Sequence, residues 1–158
     1  MTQENYSRLP LLIDNAGGRC EVVLVEPCDE GDIFIIQSIP AFTYGLGLKD
    51  TIRLLNPESG SYEVVTRAKQ IVVRLYVDGS LDKLEIKSLI DDVVDLGGCF
   101  EVGKNSDQVD GKSLLLIALN FKVGFGKIED LLRPFSGLGY QWEYGNVYDT
   151  DGKPLNWW

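Results

Sequence analysis

Gln70-Ile71-Val72-Val73-Arg74-Leu75-Tyr76-Val77, then Asp78-Gly79-Ser80, then Leu81 to Leu96 closed by Gly97-Gly98-Cys99, is the stretch that decides the fold. Its first eight residues alternate and are rich in β-branched side chains, which is a strand pattern. From Leu81 to Leu96 the apolar residues change period, with Leu89, Ile90, Val93 and Leu96 at helical spacing. Ser80 suits an N-cap and Gly97 the C′ position, so both ends of the helix are signalled. Downstream, Cys99 to Val102 and Ser113 to Phe121 read as strands on either side of a polar loop from Gly103 to Lys112. Lys127 to Arg133 reads as a short helix stopped by Pro134, and Tyr140 to Val147 as a last strand. The order strand, helix, strand, strand, helix, strand predicts a ferredoxin-like βαββαβ sandwich over residues 70–148.

Residues 20–69 carry a different pattern. Cys20 to Glu26 and Ile33 to Ile39 are strand candidates joined by Cys28-Asp29-Glu30-Gly31-Asp32; Asp50 to Leu55 and Ser61 to Arg67 flank the turn Asn56-Pro57-Glu58-Ser59-Gly60. Four short strands joined by tight turns predict a small β-barrel or a curled antiparallel sheet. The fold class is therefore α+β, with an N-terminal extension (1–19), a β subdomain (20–69), the βαββαβ subdomain (70–148) and an irregular tail (149–158).

The 158 residues contain no histidine and carry a formal net charge of −9. Without imidazole the easiest general base and the commonest metal ligand are missing, so the composition favours a binding protein over an enzyme, with no cofactor or metal expected. The three cysteines, Cys20, Cys28 and Cys99, form no C-x-x-C pair and suit reduced thiols in a cytoplasm. The N-terminus lacks a basic region, Leu9 to Ile13 is too short for a signal core, and no run approaches the ~20 apolar residues of a membrane span. Nucleic acid and anionic membrane are unfavourable partners for so acidic a chain, and a basic protein is the natural complement.

Candidate chemistry is sparse. Gly45-x-Gly47-x-x-Asp50 departs from a dinucleotide fingerprint at its third position and runs into a strand, so it reads as a structural loop. Gly124-Phe125-Gly126-Lys127 opens a helix but lacks the remaining phosphate-loop residues, and reads as a tight strand-to-helix turn. Cys99, inside a strand, reads as a buried thiol. The sharper feature is charge. Asp82 to Asp110 holds eight acids against three bases, so it carries five of the nine net negative charges. Ser88, Asp91, Asp92 and Asp95 fall at i, i+3, i+4 and i+7, on a helix face opposite Ile86, Ile90 and Val93. The three aspartates also crowd the negative end of the helix dipole, where each costs about 0.3–1 kcal/mol. This face is either a solvated surface or a docking surface for a basic protein. Trp157 and Trp158 end the chain and either pack back on the domain or join a contact. Tyr140, Trp142 and Tyr144 share one face of the last strand and read as core packing.

Ser38-Ile39-Pro40-Ala41-Phe42, Gly45-Leu46-Gly47-Leu48-Lys49-Asp50, Leu96-Gly97-Gly98-Cys99 and Trp142-Glu143-Tyr144, in that order, resemble the bacterial family catalogued as domain of unknown function 4265, over about residues 20–148. The resemblance implies a bacterial cytoplasmic protein and brings no catalytic residues. The expectation from the residues themselves is an immunity- or antitoxin-like protein that neutralises a basic toxin domain, a nuclease above all. Its partner-binding residues are Ser88, Asp91, Asp92, Asp95, Trp157 and Trp158. The alternative is a small-molecule-binding domain with its ligand between the two halves.

Overall fold

The computed structural model describes residues 5–13, 18–103 and 112–155. The described residues build two antiparallel sheets, of five and four strands, two α-helices and a 3-10 turn at Phe121–Val123. The first sheet is a meander in the order β1-β2-β3-β4-β5, made of Ser7–Leu12, Cys20–Pro27, Ile33–Ile36, Thr51–Asn56 and Ser61–Thr66. It encloses Leu11, Val23, Val25, Ile36, Leu46 and Ile52. The sheet curls until Leu12 donates its N–H to Gly60 at 2.9 Å, yet β1 and β5 do not pair into a closed barrel.

The stretch set apart as an N-terminal extension thus supplies a fifth strand. Pro10 hid it, because proline cannot donate to a ladder; on β1 it is tolerated, since β1 is an edge strand and pairs only with β2. The strand expected to run from Ile33 to Ile39 stops at Ile36.

The second sheet has the order β7-β8-β6-β9, from β6 (Gln70–Asp78), β7 (Cys99–Val102), β8 (Lys112–Asn120) and β9 (Gln141–Asn146). Helices α1 (Leu84–Asp95) and α2 (Phe125–Gly137) cover one face. There Ile71, Val73, Leu75 and Val77 of β6 meet Ile86, Leu89 and Val93 of α1 and Ile128, Leu132 and Phe135 of α2. The opposite face is also buried: Val72, Leu114, Leu116 and Ala118 pack against Ile39, with Ala41, Leu48 and Tyr76 beside them. This second layer joins the two halves, because Ile39, Ala41 and Leu48 belong to the irregular connection between β3 and β4. Burial on both faces corrects the alternating reading of β6: Ile71 to Val77 is apolar but for Arg74 because neither side of the strand faces solvent.

Helix α1 begins at Leu84, three residues after the expected start. Ser80 accepts from the Asp82 N–H at 3.0 Å in a local turn and does not cap the helix. Its other end follows expectation: Gly97 lies at φ +80° and donates to the Val94 carbonyl, while Gly98 donates to Val93, a Schellman closure. Helix α2 runs one turn beyond Pro134, where sequence put its end. The ring forfeits one helical bond, and the burial of Phe135, edge-on to Tyr140 at 5.4 Å, outweighs that loss.

Gly98 has a second duty. A β-carbon there would lie 2.7 Å from the Ala118 carbonyl oxygen and 2.5 Å from a Leu119 methyl. Gly98→Ala is expected to cost about 1–3 kcal/mol in denaturant unfolding through this overpacking.

Candidate functional site

The connection from Gln37 to Asp50 runs through the interior with no regular structure, and most of it is buried or half-buried. Such a segment must find partners for its backbone outside any helix or sheet ladder. Acidic side chains supply most of them. Glu21, on β2, accepts the N–H groups of Ala41 (2.6 Å), Phe42 (3.0 Å) and Thr43 (2.9 Å), and the Thr43 hydroxyl at 2.8 Å. Glu101, on β7, accepts the Ile39 N–H at 2.6 Å. Asp50 accepts Gly47 N–H at 2.9 Å and Ala68 N–H at 2.8 Å.

The carbonyls of the same segment are held by a cation. Arg74, on β6, is 1% exposed. Its guanidinium donates to the carbonyls of Pro40 and Thr43 and pairs with Glu143 of β9 at 3.4 Å. Strand register places this pair, since Arg74 lies directly opposite Glu143. Glycine makes the room: a β-carbon on Gly145 would sit 2.7 Å from the Arg74 Nη2. Tyr44 lays its ring over the guanidinium at 4.8 Å, a cation–π contact. Tyr44 and Tyr76 both donate their hydroxyls to Glu143, at 2.6 and 3.0 Å. The hydrogen bond to Glu143 raises the Tyr44 pKa, while burial foremost, with Glu143 beside it, pushes Tyr76 up to about 12. Both hydroxyls therefore stay protonated donors at neutral pH.

Beside this cluster, where the first sheet faces the outer face of the second, lies an open groove of ≈ 590 Å³, walled by Phe42 and Tyr44 and floored by Arg74, Tyr76 and Glu143. Sequence reading quoted Phe42 and Glu143 within motifs but did not single out these residues as a site. One signal was available: Trp142 and Tyr144 occupy one face of the last strand, which sends Glu143 to the other, and an arginine in a doubly buried strand requires an acid.

The singled-out motifs take the following places. Gly45 lies at φ +78°, and a β-carbon on Gly47 would come within 2.7 Å of the Asn146 amide nitrogen, so both glycines serve the loop. Asp50 occupies the Gly47 N–H, and β4 follows immediately. Gly124, at φ +84°, precedes the first residue of α2. Tyr140, Trp142 and Tyr144 pack on the helix side, with Trp142 edge-on to Tyr144 at 5.2 Å and donating to Ser136 Oγ at 3.1 Å. Cys99 corrects an expectation: the thiol is exposed, because β7 is an edge strand. Burial of part of its surface and the charge of Glu101 raise its pKa, which works against thiolate chemistry.

Ser88, Asp91, Asp92 and Asp95 are all exposed on α1, with Ile86 and Val93 buried behind them. The other described acids of this segment are engaged: Asp82 pairs with Lys87 at 2.7 Å, Glu85 accepts the Tyr140 hydroxyl at 2.8 Å, and Glu101 holds the loop. Among the described residues Asp91, Asp92 and Asp95 have no such partner, and the last turn of α1 carries no base. Lys104, Asp107, Asp110, Trp157 and Trp158 lie outside the described residues.

Two predictions follow from the clamp. Arg74→Leu should cost about 3–5 kcal/mol in denaturant unfolding, since Glu143 and two carbonyls lose a buried cation. Gly145→Ala should be destabilising alone and much less so in the Arg74→Leu background, a coupling that a double-mutant cycle reads directly. Burial raises the pKa of Glu101 against the lowering effect of the Ile39 N–H. The folded state therefore holds its proton more tightly than the unfolded chain. Glu101 stabilises relative to Glu101→Gln at pH below its unfolded value, and that advantage is lost as pH rises through the higher folded value. Unfolding midpoints of the two proteins, compared at mildly acidic and neutral pH, should shift in favour of Gln as pH rises.

No protein-family model and no curated protein sequence matches the chain. Among solved structures it is similar to a hypothetical protein from Neisseria gonorrhoeae, with a TM-score of 0.64 and 15% sequence identity over 90% of this chain and 96% of that one. At that identity the likeness shows a shared fold, and it spans both sheets together.

Proposed function

We propose that this protein acts by binding, as an immunity- or antitoxin-like protein that docks the exposed face of α1 on a basic toxin domain and blocks it. The observation that carries the reading is the trio Asp91, Asp92 and Asp95: exposed, without a partner among the described residues, and set against the helix dipole. Glu21, Asp50, Glu101 and Glu143 serve the loop and its clamp, whereas these three face solvent at one end of a helix. A nuclease domain is the partner class that fits best, because a cleft built to hold phosphates is cationic and an acidic helix competes for it. Such a blocker needs no chemistry; its field would speed encounter, and a few desolvated anchors would hold the complex. The strand order β7-β8-β6-β9 with both helices on one face supports reading the second half as a ferredoxin-like sandwich. The likeness to the domain of unknown function 4265 rests on the four sequence motifs alone.

A second reading has an observation of its own. The ≈ 590 Å³ groove, with the half-exposed rings of Phe42 and Tyr44, falls in the size range of small-molecule sites. Groove occupancy would leave the α1 carboxylates without effect on binding.

The test is a charge reversal, Asp91→Lys, Asp92→Lys and Asp95→Lys together. Each change should stabilise the isolated protein by about 0.3–1 kcal/mol at low salt, since lysine suits the end of a helix. The same variant should lose capture of the basic partner, wild-type capture should weaken with salt, and reversing the partner's own contact lysines should restore binding. Undiminished capture by the triple variant would refute the reading.

A further inference from the structure

The end of α1 and the start of β7 are separated only by Leu96, Gly97 and Gly98, so the acidic face stands beside an edge of the second sheet. The register of that edge determines what it offers. Gly103 donates to the Leu114 carbonyl at 2.8 Å, and β7 pairs with β8 as Glu101↔Leu116 and Cys99↔Ala118, two residues apart. Narrow and wide pairs alternate in an antiparallel ladder, so Glu101 and Cys99 turn their backbone groups to β8, whereas Phe100 and Val102 turn theirs outward. Among the described residues nothing bonds to those outward groups. Their side chains are also uncovered, Phe100 at 39% and Val102 at 54% exposure.

The same side of the sheet carries α1. Phe100 and Val102 lie opposite Ile117 and Leu115, which pack under the helices. Glu85, bonded to Tyr140 just ahead of β9, marks the flank of α1 turned toward the other edge of the sheet. Ile90 and Val94 lie on the opposite flank, toward β7, and Val94 is 52% exposed. An apolar strip of Val94, Phe100 and Val102 thus runs along an open strand edge, with Asp91 and Asp95 above it.

We propose that β7 accepts a strand from the basic partner, which extends the second sheet by β-augmentation and carries Arg or Lys at alternate positions. This rests on the docking reading of α1 and specifies how the partner engages. Main-chain bonds would form with Phe100 and Val102, the methylene stems of the basic residues would cover the apolar strip, and their charged heads would reach the α1 carboxylates. Charge selects this occupant. A second copy paired edge to edge would bring two acidic α1 faces of a −9 chain together.

The probe is a synthetic peptide alternating Arg and Thr, with a Glu-for-Arg peptide as control, titrated into the full chain at low salt. Binding of the Arg peptide should slow amide hydrogen exchange at Phe100 and Val102 by about tenfold or more, and the Glu peptide should leave both unchanged. Val102→Pro removes an outward N–H while sparing the β8 ladder, and should weaken the peptide by about tenfold at an unchanged melting temperature. Exchange in the wild type decides the matter should that variant melt early. Two results would overturn the proposal: unprotected Phe100 and Val102 amides in the peptide-saturated protein, or dimerisation of the free protein through the same amides. Loss of binding in the Asp91, Asp92 and Asp95 charge reversal but not in Val102→Pro removes the strand and keeps the docking face. Binding indifferent to both removes the docking reading as well.

Discussion

The structure depends on a buried charge. Arg74 sits in the middle of β6, a strand covered on both faces, and its guanidinium is satisfied by two loop carbonyls, Glu143 and the ring of Tyr44. An unpaired cation there would be prohibitively expensive, so the loop must come to it. The loop in turn has too much buried backbone to stand alone, and Glu21, Glu101 and Asp50 hold its N–H groups. Cation and anions grip the same segment from opposite sides. The two sheets are thereby fastened through a connection with no regular structure of its own.

Two groups of acidic residues stand out in this arrangement. One points inward and replaces the hydrogen bonds that a helix or sheet would have given the loop. The other, on α1, points outward and has no partner among the described residues. A large negative charge is therefore weak evidence for a partner by itself; position and pairing distinguish a carboxylate that holds the structure from one left for something else. The open edge of β7 gains meaning from the same contrast, since β1, one of the two edges of the first sheet, is blunted by Pro10 and by its approach to Gly60.

Three of the four sequence motifs quoted at the outset meet at the clamp. Ser38 to Phe42 and Gly45 to Asp50 form the loop, and Glu143, within Trp142-Glu143-Tyr144, holds Arg74. The fourth, Leu96 to Cys99, closes α1 and lets it lie close to β8 through Gly98.

Periodicity and punctuation by themselves determined the element order of the second half. The change of period at Leu81 and the glycine pair after Leu96 act through contacts a few residues away, which is why they are readable along a chain. Local signals also marked the four turn-bounded strands of the first half and the exposed acidic stripe of α1. Only the tertiary structure decided the rest. Pro10 concealed β1 until β2 paired with it, Pro134 failed to end α2 because Phe135 is buried, and Cys99 proved exposed because β7 is an edge. The Arg74 clamp joins residues from positions 40 to 143, and no local pattern records which acid will meet which cation once the sheets are registered.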